Sequence, residues 1–333
     1  MNKIINFLKK RWILILLYFF VLGVCLIELP YYIDAPGGLI NVDDKIEFDN
    51  KYDSSGSINL AYVKEYSVNL PLLIASYFID DWTLHKIETE EELVNYEEAL
   101  IRDKLLNKES YASAVILAFQ YAGKDIEILD SDIYVSHIYE EADTDLIVGD
   151  QILSIDGNKI TKKSEISLYL NQLETGTRIN IAVENDGIEY ERYANIIEVE
   201  GIKLIGIVPV EIKHYKTNPE INIKSSKSEY GPSGGLMIAL AVYDAITEKD
   251  ITGGLVIVGT GTIDIDGNVG SIGGVEYKIK GAEKKGADIF FVPRGENYEE
   301  AKKIVEEEHY KIKLIPVSTF EEALNYLLEN VEE

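Results

Sequence analysis

The chain has 333 residues, enough for two or three domains with separate cores rather than one small module. Its 58 acidic and 32 basic side chains leave a formal charge of -26, so a phosphate backbone is repelled and nucleic acid is excluded as a partner. The single cysteine, Cys25, excludes an internal disulfide or a thiolate metal site, and His85, His137, His214 and His309 have no ligand spacing, so no metal or other cofactor is expected.

Residues 1–11 hold Lys3, Lys9, Lys10 and Arg11, and Trp12 to Ile27 then carries no charge. Extended through Tyr31 to Ile33, the run reaches the ~20 residues that cross a bilayer. Residues 12–33 are therefore predicted as a single-pass transmembrane anchor and residues 1–11 as a cytoplasmic tail. The acidic residues Glu28, Asp34, Asp43 and Asp44 follow, which by the positive-inside rule puts the rest of the chain outside the cell membrane. Ile27-Glu28-Leu29-Pro30-Tyr31 lacks a small-x-small cleavage site, so the anchor is expected to stay attached. Asp34-Ala35-Pro36-Gly37-Gly38 is expected to break the helix.

Residues 34–127 read as an α/β region. Ser57 to Val63 alternates like a strand, Leu70 to Phe78 is apolar and opens a helix, and Glu90 to Leu106 and Ser110 to Tyr121 read as two helices, the second stopped at Gly123. Whether this region stands alone or packs on the C-terminal one stays open.

Residues 128–200 read as a β-rich module. A strand at Asp132 to Ile138 precedes the run Val148-Gly149-Asp150-Gln151-Ile152-Leu153-Ser154-Ile155-Asp156-Gly157, whose Asp-Gly marks a hairpin turn. A helix from Ser164 to Leu173, a strand at Arg178 to Val183 and a second turn at Asn185-Asp186-Gly187 follow. The run resembles the Gly-Asp-x-Ile-Leu-x-Ile-Asn-Gly pattern of PDZ domains, with Asp156 for Asn. That resemblance implies a peptide groove along an edge strand, expected at Tyr134, Val135, Ser136 and Ile138, beside the helix. No Gly-Leu-Gly-Phe loop precedes this strand, and a plain spacer domain is the other reading.

Residues 201–333 alternate strands with helices, which indicates an α/β domain. Ile202 to Pro209 and Ile221 to Ile223 read as strands, Leu236 to Ile246 as a buried helix, Leu255 to Ile263 as a strand turning at Asp266-Gly267-Asn268, and Glu276 to Lys285 as a helix. Strands at Asp288 to Val292 and Lys311 to Val317 and helices at Tyr298 to Glu308 and Thr319 to Leu328 complete it, with Ser318 and Glu321 expected as a capping box. Gly231-Pro232-Ser233-Gly234-Gly235 stands at the mouth of the buried helix. A serine there is exposed, beside the helix's positive end, and amides at Gly231, Gly234 and Gly235 are candidates for an oxyanion hole. Serine needs a base, and Lys278 qualifies if Ile272, Val275 and Ile279 desolvate it, with Thr260 orienting the amine.

The runs Gly-Pro-Ser-Gly-Gly (231–235), Thr-Gly-Thr-Ile-Asp-Ile-Asp-Gly-Asn-Val-Gly-Ser-Ile-Gly-Gly-Val-Glu-Tyr-Lys (260–278) and Gly-Ala-Asp-Ile-Phe-Phe-Val-Pro (286–293) resemble the proteolytic domain of Lon-type serine proteases. The resemblance implies a Ser-Lys dyad: Ser233 as nucleophile, Lys278 as base and Thr260 supporting it. With the anchor and the PDZ-like module, the whole order resembles the membrane-anchored, PDZ-containing Lon-like proteases of Gram-positive-type bacteria. The fold class is then α/β (α+β), with a transmembrane helix, a PDZ-like domain and a Lon-type domain. No Gly-x-x-x-x-Gly-Lys-Ser/Thr loop occurs in the sequence, so an ATP-independent endopeptidase acting on exported peptides or unfolded proteins is expected. Lon-type domains commonly form hexameric rings, which leaves room for a homo-oligomer.

Two other readings compete. Gly231-x-Ser233-x-Gly235 also fits the nucleophile elbow of α/β-hydrolases, with Asp264, Asp266 or Asp288 and His309 in the right chain order. Against it, the Ser225 to Tyr230 stretch before the turn is polar and His309 stands beside Glu306, Glu307 and Glu308. The third reading is an inactive, anchored adaptor that only binds peptides.

Overall fold

The computed structural model describes residues 2–48, 51–224, 226 and 229–330, with side chains for those from 11 to 89 and from 94 onward. The first element is helix α1 (Asn2–Leu26), which takes in the predicted tail as well as the apolar run. Its unbroken apolar part, Trp12 to Leu26, is about 22 Å long at 1.5 Å per residue, against a hydrocarbon core of about 30 Å. Among the described residues no helix is long and apolar enough to cross a membrane. The predicted 12–33 span therefore ends early: Tyr31 to Ile33 belong to strand β1 (Tyr31–Asn41), and Ile33 is fully buried in the fold.

The expected break at Asp34 to Gly38 is also part of β1. It pairs antiparallel with β2 (Ser57–Ser67), and the Pro-Gly-Gly irregularity is absorbed as a register shift between Pro36 and Gly38. Next come the short helix α2 (Leu70–Ser76), strand β3 (Thr83–Lys86) and helix α3 (Glu90–Tyr121). The two helices expected between Glu90 and Tyr121 are thus one, because no proline or glycine interrupts Asn107-Lys108-Glu109. It stops where Gly123 turns left-handed and Lys124 donates back to the Phe119 carbonyl.

A second unit is inserted after α3. Strands β4 (Asp125–Ile138), β5 (Gln151–Ile155), β6 (Arg178–Asn185), β7 (Ile188–Asn195) and β8 (Ile207–Asn218) form an antiparallel sheet in the order β8-β4-β5-β6-β7. Helix α4 (Lys163–Leu170) closes a core of Ile133, Val135, Ile152, Ile155, Ile166 and Ile181. Both predicted Asp-Gly turns are present, with Asp156, Gly157, Asp186 and Gly187 all at positive φ, as tight hairpins require. The unit runs from Asp125 to Asn218, wider than 128–200, because its outer strand β8 returns only after Gly206.

The C-terminal part contributes α5 (Gly235–Ile246), β9 (Val256–Gly259), α6 (Val275–Lys284), β10 (Ile289–Pro293), α7 (Glu296–Glu307), β11 (Lys313–Val317) and α8 (Phe320–Asn330). These strands join the N-terminal ones in one six-stranded sheet, β11-β10-β9-β2-β1-β3. Its β11-β10-β9-β2 part is parallel, and β10 is buried along its whole length, as its continuous apolar run Ile289-Phe290-Phe291-Val292 demands. Helix α5 is buried at nearly every position between that sheet and the Tyr111 to Phe119 half of α3. The cap of α8 is one residue later than expected: Thr319 Oγ1 accepts from the Glu322 amide, and Glu322 accepts from the Ser318 amide.

Candidate active site

The turn at Gly231 to Gly235 lies where α5 begins, at the end of the sheet. Gly231 sits at φ 81°, a conformation that side chains other than glycine rarely adopt. Gly235 faces α3 so closely that a Cβ would lie 2.1 Å from Ser110 Oγ, so only glycine allows the approach. Ser233 stands between them, half-buried. Its carbonyl is held twice, by the Gly261 amide at 2.8 Å and by Thr260 Oγ1 at 3.1 Å, both just past the end of β9.

Thr260 is fully buried and links the serine to the lysine. Its Oγ1 accepts from Lys278 Nζ at 3.2 Å. Since the hydroxyl proton is committed to the Ser233 carbonyl, the oxygen can only accept from the amine. Lys278 lies on the first turn of α6, with Val275 and Ile279 fully buried beside it and Ile272 half-buried. Only 4% of the lysine is exposed, and burial alone lowers its pKa from 10.5 to about 8. A neutral amine is therefore within reach near neutral pH, with one hydrogen bound by Thr260 and a lone pair available.

The amides of the turn divide in two. Gly231 donates to the Asp103 carbonyl at 3.2 Å and Gly235 to the Pro232 carbonyl at 3.2 Å, so neither is free for an oxyanion. Among the described residues, the amides of Ser233 and Gly234 have no hydrogen-bond partner. The expected hole at Gly231, Gly234 and Gly235 thus keeps only Gly234, joined by Ser233 itself. Pro232 supplies no donor.

Residues 217–330 match the family model of the Lon protease (S16) C-terminal proteolytic domain. A Lon protease of Campylobacter jejuni is 28% identical over 186 residues, 54% of this chain and 22% of that protein. Lon protease 2 of Bacillus subtilis is 36% identical over 100 residues, covering 30% of this chain and 17% of its own. The C-terminal region carries a Lon-type serine endopeptidase domain. The chain thus spans about a fifth of the length of these Lon proteases. Among solved structures, the PDZ domain of the SdrC-like protein of Listeria monocytogenes is similar at 22% identity over 25% of this chain and 93% of that one, with a TM-score of 0.23.

The Lon-type domain also rests on residues that the sequence reading passed over. Asn107 Nδ2 donates to the Gly231 carbonyl at 2.9 Å, and Ser110 Oγ donates to the Pro232 carbonyl at 3.1 Å while accepting from the Ile263 amide at 3.2 Å. Both side chains are buried on α3, so this helix clamps the nucleophile turn from outside the matched region. Their signal was two polar residues three apart where the helix turns from charged to apolar.

His309 is exposed beyond the end of α7 at φ 55°, and Asp264 and Asp288 are spent on local bonds to Asn268 and to the Val256 amide. Part of the polar stretch Ser225 to Tyr230, namely residues 225, 227 and 228, lies outside the described residues. Tyr134, Val135, Ser136 and Ile138 lie together on β4, but β4 is not an edge. Tyr134 pairs with Val210 and Gln151, Val135 exchanges bonds with Asp150 and Gly149, and Ser136 Oγ donates to the Val208 carbonyl. The open edge of this sheet next to α4 belongs to β8, where Glu211 accepts from the Lys163 amide at the start of α4 at 3.0 Å.

Proposed function

We propose that the chain is an ATP-independent serine endopeptidase in which Ser233 and Lys278 form the catalytic dyad. One observation carries the reading: a buried, desolvated Lys278 whose Nζ is held by Thr260, the residue that also holds the Ser233 carbonyl. In this mechanism neutral Lys278 takes the Ser233 hydroxyl proton as Oγ attacks the scissile carbonyl. The oxyanion forms at the amides of Ser233 and Gly234, next to the positive end of α5. The lysine then protonates the leaving amine, and in the second half it accepts a proton from the water that hydrolyses the acyl-enzyme. Thr260 positions the amine throughout without adding charge.

The substrates proposed are exported peptides or unfolded proteins, since these residues contain no phosphate-binding loop to power unfolding. The enzyme is held at the cell membrane by α1 with its basic N-terminus in the cytoplasm and its catalytic part outside. In support, Trp12 to Leu22 expose apolar side chains on every face except at Ile15, and among the described residues no element of the chain covers them. Peptide docking is assigned to the open edge of β8 beside α4, as a PDZ-like strand addition.

The test is hydrolysis of an unstructured peptide by the purified full chain. Ser233→Ala and Lys278→Met should each abolish turnover, while His309→Ala should leave it unchanged. Loss of activity in His309→Ala with activity retained in Lys278→Met would return the serine-histidine reading.

A further inference from the structure

We infer that the outer face of α2 and the turn after it form a second membrane contact, which lies in the lipid headgroup layer and works jointly with α1. The inference rests on the proposed anchoring by α1.

The segment from Tyr66 to Ile79 has no charged residue. Its inner side is accounted for, because Leu72 and Leu73 pack with Ile33, Ala35, Val68 and Trp82 in a small core. Among the described residues nothing covers its outer side: Leu70 and Ile74 are exposed, and so are Tyr77 at 75% and Phe78 at 81%. Large aromatic side chains placed this way belong to the boundary between water and hydrocarbon.

The face is joined to α1 by short bonds. Asn69 Nδ2 donates to the Cys25 carbonyl at 2.8 Å, in the last turn of α1, while Asn69 Oδ1 accepts from the Leu72 amide at 3.1 Å and so caps α2. One side chain thus binds the end of one helix to the start of the other. The Leu29 amide adds a bond to the Val68 carbonyl at 2.7 Å. Wherever the C-terminal end of α1 lies, the exposed face of α2 lies beside it.

Continuity with α1 selects lipid as the occupant. A partner helix needs one apolar stripe, whereas Trp12 to Leu22 carry apolar side chains on every face, the pattern of a helix set in lipid. The apolar part of α1 also falls about 8 Å short of the ~30 Å hydrocarbon layer. A short span is accommodated by local thinning and by drawing its flanks into the interface, and α2 supplies an uncharged flank. Just past this face, Asp81 is paired with Lys280 at 2.9 Å, on the same helix as Lys278. The contact therefore sets the catalytic helix at a fixed height above the bilayer.

The experiment uses the full chain in phosphatidylcholine and phosphatidylglycerol vesicles, with Cys25→Ser as background and nitroxide labels at Phe78→Cys, Tyr77→Cys, Leu17→Cys and, as an exposed reference, Ile188→Cys. Collisional access to oxygen and to a water-soluble nickel chelate is read at each site. The expected result is that labels at 77 and 78 are about fivefold less accessible to nickel than the label at 188 and more accessible to oxygen. A shielded label at 17 with labels at 77 and 78 as open to nickel as 188 overturns the contact and leaves the anchor standing. Open labels at 17, 77 and 78 overturn both. Labels at 77 and 78 closed to nickel and oxygen alike show protein packing and overturn the choice of lipid.

Discussion

Replacing Lys278 by methionine keeps a linear side chain in the same pocket and removes the amine that the proposed mechanism needs. It also removes a buried charge. Below pH 8 the lysine is charged in both folded and unfolded chains, and the folded chain bears the desolvation penalty. As pH rises from about 8 to 10.5 the folded form loses its proton first, so the unfolded chain binds more protons and stability rises with pH. A fall from 10.5 to about 8 corresponds to about 3 kcal/mol, most of it recovered by pH 10. Urea unfolding of both proteins at pH 7 and pH 10 measures this directly. The stability of wild type relative to Lys278→Met should rise by about 2–3 kcal/mol over that interval, whatever offset the lost Thr260 bond adds. A pH-independent difference would show that Lys278 is not held desolvated, and the argument for it as base would fall with it.

Four further outcomes are expected. The value of kcat/KM for an unstructured peptide should climb about tenfold between pH 7 and pH 9, as the neutral fraction of a group with pKa about 8 grows; a flat profile would speak against the lysine as base. Ser110→Ala leaves the Ile263 amide and the Pro232 carbonyl without their buried partner, which should cost about 1–3 kcal/mol in unfolding and lower kcat more than it raises KM. Asn107→Asp keeps the shape but, ionised, has no hydrogen to donate to the Gly231 carbonyl, so it should lose at least as much activity as Asn107→Leu if that bond, and not bulk alone, steadies the turn, to be read from kcat at matched folding. Replacing residues 129–214 by Asn-Gly would close the roots of β4 and β8 as a hairpin while keeping Ile126 and Tyr215 on the main core; short peptides should still be cleaved and longer substrates should show a raised KM, whereas an unchanged substrate profile would make the unit a spacer.

Local patterns in the sequence carried the elements whose environment is uniform. The Leu236 to Ile246 run, apolar but for Asp244, could only be a buried helix, the Asp-Gly pairs could only be tight turns, and the Ser233, Thr260 and Lys278 motifs converge on one site. Where pairing is long-range, the pattern misled. Pro36-Gly37-Gly38 reads as a break, yet β2 holds it in register on both sides of the irregularity. Tyr134 to Ile138 reads as an edge because the strand that covers it, β8, arrives about 70 residues later in the chain, and register between distant strands leaves no local trace. Asn107 falls in the gap between the two expected helices and Ser110 reads as the start of the second, since their partners at Gly231 and Pro232 are visible only in the fold.

The continuity of α3 has a mechanical consequence. A helix without a hinge moves as a rod, and within one turn of this rod Asn107 and Ser110 hold the nucleophile turn while Glu109, its carboxyl pKa raised by burial, lies near Lys163 of α4 and Glu211 of β8. Glu211 in turn receives the first amide of α4. The outer strand β8 and the nucleophile turn therefore both rest on the same helix.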